Sequence, residues 1–303
     1  MIQKAKDCDA DAIKFQLFEP DHLSVPDYEW YKVYQEVAIP RDQWVRHFAL
    51  AKAVGLTVVA EVFDVSMARF CLEQGVRAFK LNIADISNPT LTECLADAPT
   101  TIFLSVGGSL IEETHKVLQV LTRRGNEVVL NYGFQGFPTP LSHSNLAKIP
   151  LLALHFGLPV CYADHLAGDH PMAIELPCLA VAAGATVIEK HFILERKKER
   201  YDYYSAIEPQ QFKAMVDRLR DVETCLGQSS LDLDQAELEY RNKHKKCPVL
   251  REPLPAGHCL TVEDVLFKRA NQPKDFLLLE EVVGRILAVA VPSNVPLRKE
   301  YLK

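Results

Sequence analysis

Residues 161–209 read CYADHLAGDHPMAIELPCLAVAAGATVIEKHFILERKKERYDYYSAIEP, and their pattern decides the fold. Two short apolar runs end in clusters of acid and histidine. Residues 160–163 run into Asp164-His165, and residues 186–188 run into Glu189-Lys190-His191. Between them lies a helix-length apolar segment, 172–183, closed by Gly184. This is strand, helix, strand, with a histidine at the carboxyl end of each strand. In barrel-type α/β folds the carboxyl ends of parallel strands carry the chemistry. His165 and His191 are therefore expected on neighbouring strands, facing one ion.

Working outward, strand-like runs recur at 12–16, 57–61, 78–82, 101–105, 127–132, 159–163 and 186–191. From the second onward their spacing is that of a βα unit. Helical patterns fill the intervals at 41–54, 66–74, 111–123, 144–156 and 172–183, and 209–225 closes the last unit. Such repetition favours a parallel barrel or an open doubly wound sheet. No GxGxxG follows the first strand, which weighs against the dinucleotide-binding version. The expected fold class is α/β: a (β/α)8 TIM-type barrel lacking its first strand, because eight strands close such a barrel and seven runs are found. Unpaired edges are costly unless something covers them, and a chain shortened at its start is the simplest expectation. Domain limits are expected at 1–227 for the barrel, 228–247 for a polar linker, and 248–303 for a small β-rich domain. In the last, Thr261 is expected to cap a short helix over 262–266.

Composition narrows the function classes. At 303 residues with 48% hydrophobic content, the chain can bury a full core plus a small second domain. A net charge of −6 argues against nonspecific nucleic-acid binding, which needs clustered positive charge. No apolar run approaches the roughly 18 residues of a spanning helix, and the first residues lack the pattern of a signal peptide. The eight cysteines show no CxxC pair and read as reduced thiols of a cytoplasmic protein.

Period-2 alternation assigns side chains to faces. Lys14 and Gln16 share a face on the first strand, Lys80 and Asn82 on the third, and Glu189 and His191 on the seventh, with Lys190 opposite. Barrel interiors are normally filled by branched apolar side chains. Inward lysines therefore need anionic partners, and a phosphate or carboxylate substrate is expected to supply them. His170 and Asp169 compete with the histidine pair for the ligand role, and the loop after the seventh strand is expected to carry Asp202 to the mouth.

The segments DAIKFQ, VFD, FKLNIADISNP, LSVGG, GFQGFPTP, YADH, VIEKHF and DYYSAIEPQQF, in that order, resemble the sialic acid synthase family. Members condense phosphoenolpyruvate with an N-acetylmannosamine-type sugar to give a nonulosonic acid and phosphate. The C-terminal stretch resembles the antifreeze-like (SAF, β-clip) domain that follows the barrel in that family. The resemblance implies that His165 and His191 hold a divalent ion, usually Mn2+, with Mg2+ or Co2+ as alternatives. It implies phosphoenolpyruvate contacts from Lys14, Gln16, Lys80, Ser105 and Gln135, and acid–base roles for Asp202, Asp85 and Glu189. Arg269 resembles the arginine inserted into a partner's site, which implies a domain-swapped homodimer. The chain departs from the pattern at Ile83 and Ala163, where serines are expected, and at Glu61, where a threonine is expected. A carboxylate near a bound phosphate repels it. Two other readings remain open at this point: a Schiff-base keto-acid aldolase using Lys190 or Lys80, and a non-catalytic barrel that binds a sugar or a partner. The sugar itself is left open among N-acetylmannosamine, its 6-phosphate and 6-deoxy diacetamido sugars.

Overall fold

A computed structural model describes every residue except Gln135, Phe137 and residues 272–274. The chain divides into two units, Met1–Gly227 and Gln228–Lys303. The first holds seven strands: β1 Ala12–Leu17, β2 Thr57–Val62, β3 Ala78–Leu81, β4 Thr101–Ser105, β5 Glu127–Tyr132, β6 Val160–Asp164 and β7 Val187–Lys190. They form one parallel sheet in sequential order. The sheet is curled, because Lys14 on β1 and Glu189 on β7 approach to 3.2 Å although they stand on its two outermost strands.

Alternation along each strand explains the layers. Phe15, Leu17, Ala60, Val62, Phe79, Leu81, Ile102, Leu104, Val128 and Leu130 point outward and pack with the helices in the main core. The intervening residues face inward, and many of them are polar. Helices form where the periodicity places them, at Arg41–Ala53, Val65–Glu73, Ile111–Leu121, Lys148–Phe156, Glu175–Ala182 and Pro209–Leu226. Three helices of this unit escaped the sequence reading: Pro20–Leu23, Tyr31–Val37 and Pro89–Ala96. The last has a legible start, since the Asn88 side chain accepts from the Leu91 amide at 3.2 Å and Pro89 occupies the first turn.

The β1 and β7 edges do not pair with each other or with an eighth strand among the described residues. They are covered instead. The first helix, Ile2–Asp7, contributes Ile2 and Ala5 to a cluster against which Ile13, Phe192 and Phe212 pack. Arg220 of the last helix grips Asp11 through two bonds of 2.7 and 2.8 Å. Beyond β7 the chain returns alongside itself, with Phe192 bridged in parallel to Ile207.

The second unit, by itself, has an antiparallel pair, β8 Cys247–Leu250 and β9 Val265–Lys268. Its core gathers Leu250, Leu260, Val265, Leu277, Val282, Leu287, Val291 and Leu297. Two sequence expectations are corrected here. The stretch expected as a linker holds a helix, Gln235–His244, whose Asp234 accepts from the Glu237 amide at 2.7 Å while Glu237 accepts from the Asp234 amide. The helix expected over 262–266 is a single turn, Val262–Asp264, because Val265 and Leu266 pair with Leu250 and Val249 instead.

Candidate active site

The inward residues of the curled sheet form a polar network. Lys14 pairs with Glu61 and lies 3.2 Å from Glu189. Lys80 donates to Glu189 at 2.9 Å and lies 3.8 Å from Glu61. Glu61 also accepts from Asn82 Nδ2 at 2.6 Å and Gln16 Nε2 at 3.3 Å, and Glu189 accepts from Asn131 Nδ2 at 2.9 Å. Two ammonium groups thus face two carboxylates. This corrects the expectation that a substrate alone supplies the lysines' counter-charge. Burial disfavours the charged form of Lys14, but Glu189 and Glu61 outweigh it and raise the pKa. Burial likewise opposes ionisation of both glutamates, and the two lysines reverse it, so each carboxyl is held below its ordinary value.

At the carboxyl ends of β6 and β7 the rings of His165 and His191 lie 5.2 Å apart between centroids. Burial pushes their pKa values down to about 4 and about 3, so both imidazoles are neutral near pH 7. Neutral nitrogens on adjacent strand ends are a donor set that suits a borderline divalent ion. Among the described residues no group of three or more His, Cys, Asp or Glu assembles as a metal centre.

Backbone contacts fix the pair. The carbonyl of His165 accepts from the buried Ser205 hydroxyl at 2.7 Å and from the Thr139 amide at 2.9 Å. The carbonyl of His191 accepts from the Ile207 amide at 3.0 Å. One short segment, 205–207, therefore holds both histidines, and Asp202 stands three residues before it. Gly168 lets the loop after β6 lie against this segment, because a Cβ there would come within 2.0 Å of the Ala206 oxygen. Gly133 similarly admits the Ala163 oxygen at the mouth, at 2.1 Å from where a Cβ would stand. Asp202 has a left-handed backbone with φ 61°, which aspartate tolerates. Asp202 is exposed, yet desolvation raises its pKa, and it feels Lys14 and Glu61 electrostatically.

The other expected residues fall as follows. Ser105 is fully buried beside Asn131 in the strand register, and among the described residues neither its hydroxyl nor Asn131 Oδ1 has a hydrogen-bond partner. Asp85 accepts from Asn88 at 2.8 Å, and burial followed by Asp64 raises its pKa, which places it by the loop after β2. Arg269 follows β9 in the second unit and is exposed. Gln135 lies outside the described residues. Lys190 points to the outer face, where it donates to Asp164 at 2.6 Å and to the Leu166 carbonyl at 3.1 Å. That placement removes it from the interior a Schiff-base reading requires. His170 accepts from the Met172 amide at 3.0 Å, and Asp169 pairs with Arg196 at 3.5 Å. Asn131 and Ser205 went unnoticed in the sequence. A polar residue alternating inward on an apolar strand was the available signal for Asn131.

Fold and site together define a class: a barrel-type α/β protein with ion-paired lysines inside and two neutral histidines at adjacent strand ends. The model of the NeuB family matches residues 1–230, and the chain belongs to that family, the sialic acid synthase family. It is 27% identical to the N,N'-diacetyllegionaminic acid synthase of Legionella pneumophila, over 100% of this chain and 89% of that protein. The solved N-acetylneuraminic acid synthetase of Leptospira borgpetersenii, in complex with citrate, is 28% identical with a TM-score of 0.75, covering 80% of this chain and 85% of that one. A spore coat polysaccharide biosynthesis protein E from Chromobacterium violaceum shares the fold with a TM-score of 0.83 at 21% identity, covering 100% and 93%.

Proposed function

We propose that the protein condenses phosphoenolpyruvate with the open-chain form of an N-acetylmannosamine-type sugar, giving a nine-carbon 2-keto acid and phosphate. The observation that carries this reading is the neutral His165–His191 pair set above the Lys14 and Lys80 ammonium groups inside a NeuB-family barrel. The names of the Legionella and Leptospira relatives agree with it.

In this reaction C3 of phosphoenolpyruvate bonds to the aldehyde carbon, water adds at C2, and the C–O bond to phosphate breaks. Lys14 and Lys80 neutralise the carboxylate and phosphate in a site screened from bulk water, where such contacts count most. The buried Ser105 hydroxyl offers a hydrogen bond to the same substrate. Asp202, with its raised pKa and its place at the mouth, carries a proton between water and the sugar oxygens. Asp85 serves the sugar end, and Glu189 keeps the lysines in place. His165 and His191 would hold a divalent ion, Mn2+ by preference, which when bound supplies Lewis acidity toward the aldehyde oxygen.

The second unit is read as the antifreeze-like (SAF) domain, with Arg269 reaching a partner's sugar in a domain-swapped homodimer. No helix among the described residues is long and apolar enough to cross a membrane, and the free cysteines fit a reducing cytoplasm. Incubating the protein with phosphoenolpyruvate and each of N-acetylmannosamine, its 6-phosphate and a 6-deoxy diacetamido sugar tests the reading. Phosphate release and the mass of a nine-carbon acid are expected with one of them. Release with none contradicts the reading.

A further inference from the structure

Glu61 is a buried charged residue to which the proposed reaction assigns no task. Its surface is 1% exposed. One carboxylate oxygen takes Lys14 Nζ and Gln16 Nε2, the latter at 3.3 Å. The other takes Asn82 Nδ2 at 2.6 Å and faces Lys80 Nζ at 3.8 Å. Two ammonium groups and two amide N–H donors from β1 and from β3 with its following residue therefore converge on one anion. That anion belongs to the protein itself.

We propose that Glu61 is the resident counter-ion of an anion seat formed by Lys14, Gln16, Lys80 and Asn82. An anionic substrate is admitted to this seat when Glu61 takes up one proton. With Glu61 ionised, the Lys14 charge is already spent, and a phosphate or carboxylate entering beside Glu61 meets like charge in a poorly solvated interior. Glu61 is the last residue but one of β2, with β1 and β3 hydrogen-bonded on either side, and its burial leaves it no exposed surface to swing onto. Protonation eases the conflict: one proton comes from solvent, the carboxyl becomes neutral, and the two ammonium groups, left with Glu189 as their one shared carboxylate, present a net positive charge to the incoming anion. The other charged groups facing Glu61 are Glu189 on β7 and Asp202 in the loop after it. Both repel the substrate anion too, but neither shares all four donors. Glu61 thereby sets anion affinity and makes it pH-dependent.

The inference rests on the proposed function only for the identity of the anion, and its test separates the two. Calorimetric titration with phosphoenolpyruvate, and independently with sulfate, is run in two buffers of unequal ionisation enthalpy. The pH is kept above the last ionisation of each anion. The wild type is expected to take up about one proton per anion bound. Glu61→Gln and Glu61→Thr are expected to take up none and to bind about tenfold tighter or better, about 1.4 kcal/mol. Thermal melts select whichever variant is folded. Proton uptake that persists in the folded variant, or affinity that is unchanged or weaker there, overturns the proposal. Failure of both anions to bind any form overturns it as well. Sulfate behaving as expected while phosphoenolpyruvate does not bind upholds the seat and counts against the proposed reaction instead.

Discussion

Lys190 and Asp164 meet at 2.6 Å on the outer face of the sheet, each one residue before a histidine of the site. Both side chains are 0% exposed. They are register partners on β6 and β7, so the ion pair ties the strands together where His165 and His191 leave them. A buried pair of this kind is dangerous to halve, because the survivor is a charge without water. Lys190→Met alone is expected to lower stability by about 3–5 kcal/mol, read from urea unfolding. Adding Asp164→Leu is expected to recover most of that loss. A single variant as stable as the wild type contradicts the clamp.

Ser205 acts on the opposite side of His165. Its hydroxyl holds the His165 carbonyl at 2.7 Å, and the Thr139 amide holds the same atom. Because one donor remains, Ser205→Ala is expected to cost only about 1 kcal/mol of stability. Divalent-ion affinity, measured by titration with Mn2+, is expected to fall as the ring loses its fixed direction, and Ser205→Thr is expected to restore part of it. Unchanged affinity in Ser205→Ala removes the positioning role.

The interior glutamate on β2 gives a pH prediction. The carboxyl of Glu61 sits below its ordinary value of 4.5 in the folded protein, since Lys14 and Lys80 outweigh the burial that opposes its charge. On acidification the unfolded chain therefore takes the proton first. Stability from this group is full above about pH 4.5 and is lost as pH falls below it. Denaturant curves are expected to show wild type and Glu61→Gln furthest apart near neutrality and converging in acid. A gap that widens in acid would reverse the sign and refute the assignment.

Much of the fold was legible because period-2 and period-3.6 patterns alternate cleanly along the first unit. Lys14 and Gln16 sharing a face of β1 is one such case, and Thr101–Ser105 was read to its ends. The lysine, glutamate and histidine faces followed from the same alternation. What stayed hidden was pairing across the sheet. Glu61 read as an intruder, because no local pattern says that curling brings Lys14, Lys80 and Glu189 around it. Ser205 binds a carbonyl forty residues earlier in the chain, a contact that only loop packing creates. The helix Gln235–His244 was missed because its polar, charged surface lacks an apolar stripe, although Asp234 and Glu237 spell its start.

In the proposed reaction Asp202 moves the protons. Desolvation raises its pKa while Lys14 pulls it the other way. Asp202→Asn is expected to lower kcat for phosphate release by about a hundredfold or more, with KM for phosphoenolpyruvate little changed. A KM effect without loss of kcat would make it a binding residue instead.

In the proposed reaction His165 and His191 hold one divalent ion, without which condensation does not proceed. Phosphate release from phosphoenolpyruvate and the accepted sugar, followed through exhaustive chelation and Mn2+ add-back, tests it most directly. Release is expected to stop on chelation, to return with Mn2+, and never to return in His165→Ala with His191→Ala. Release that continues undiminished through chelation, or that survives loss of both imidazoles, contradicts it.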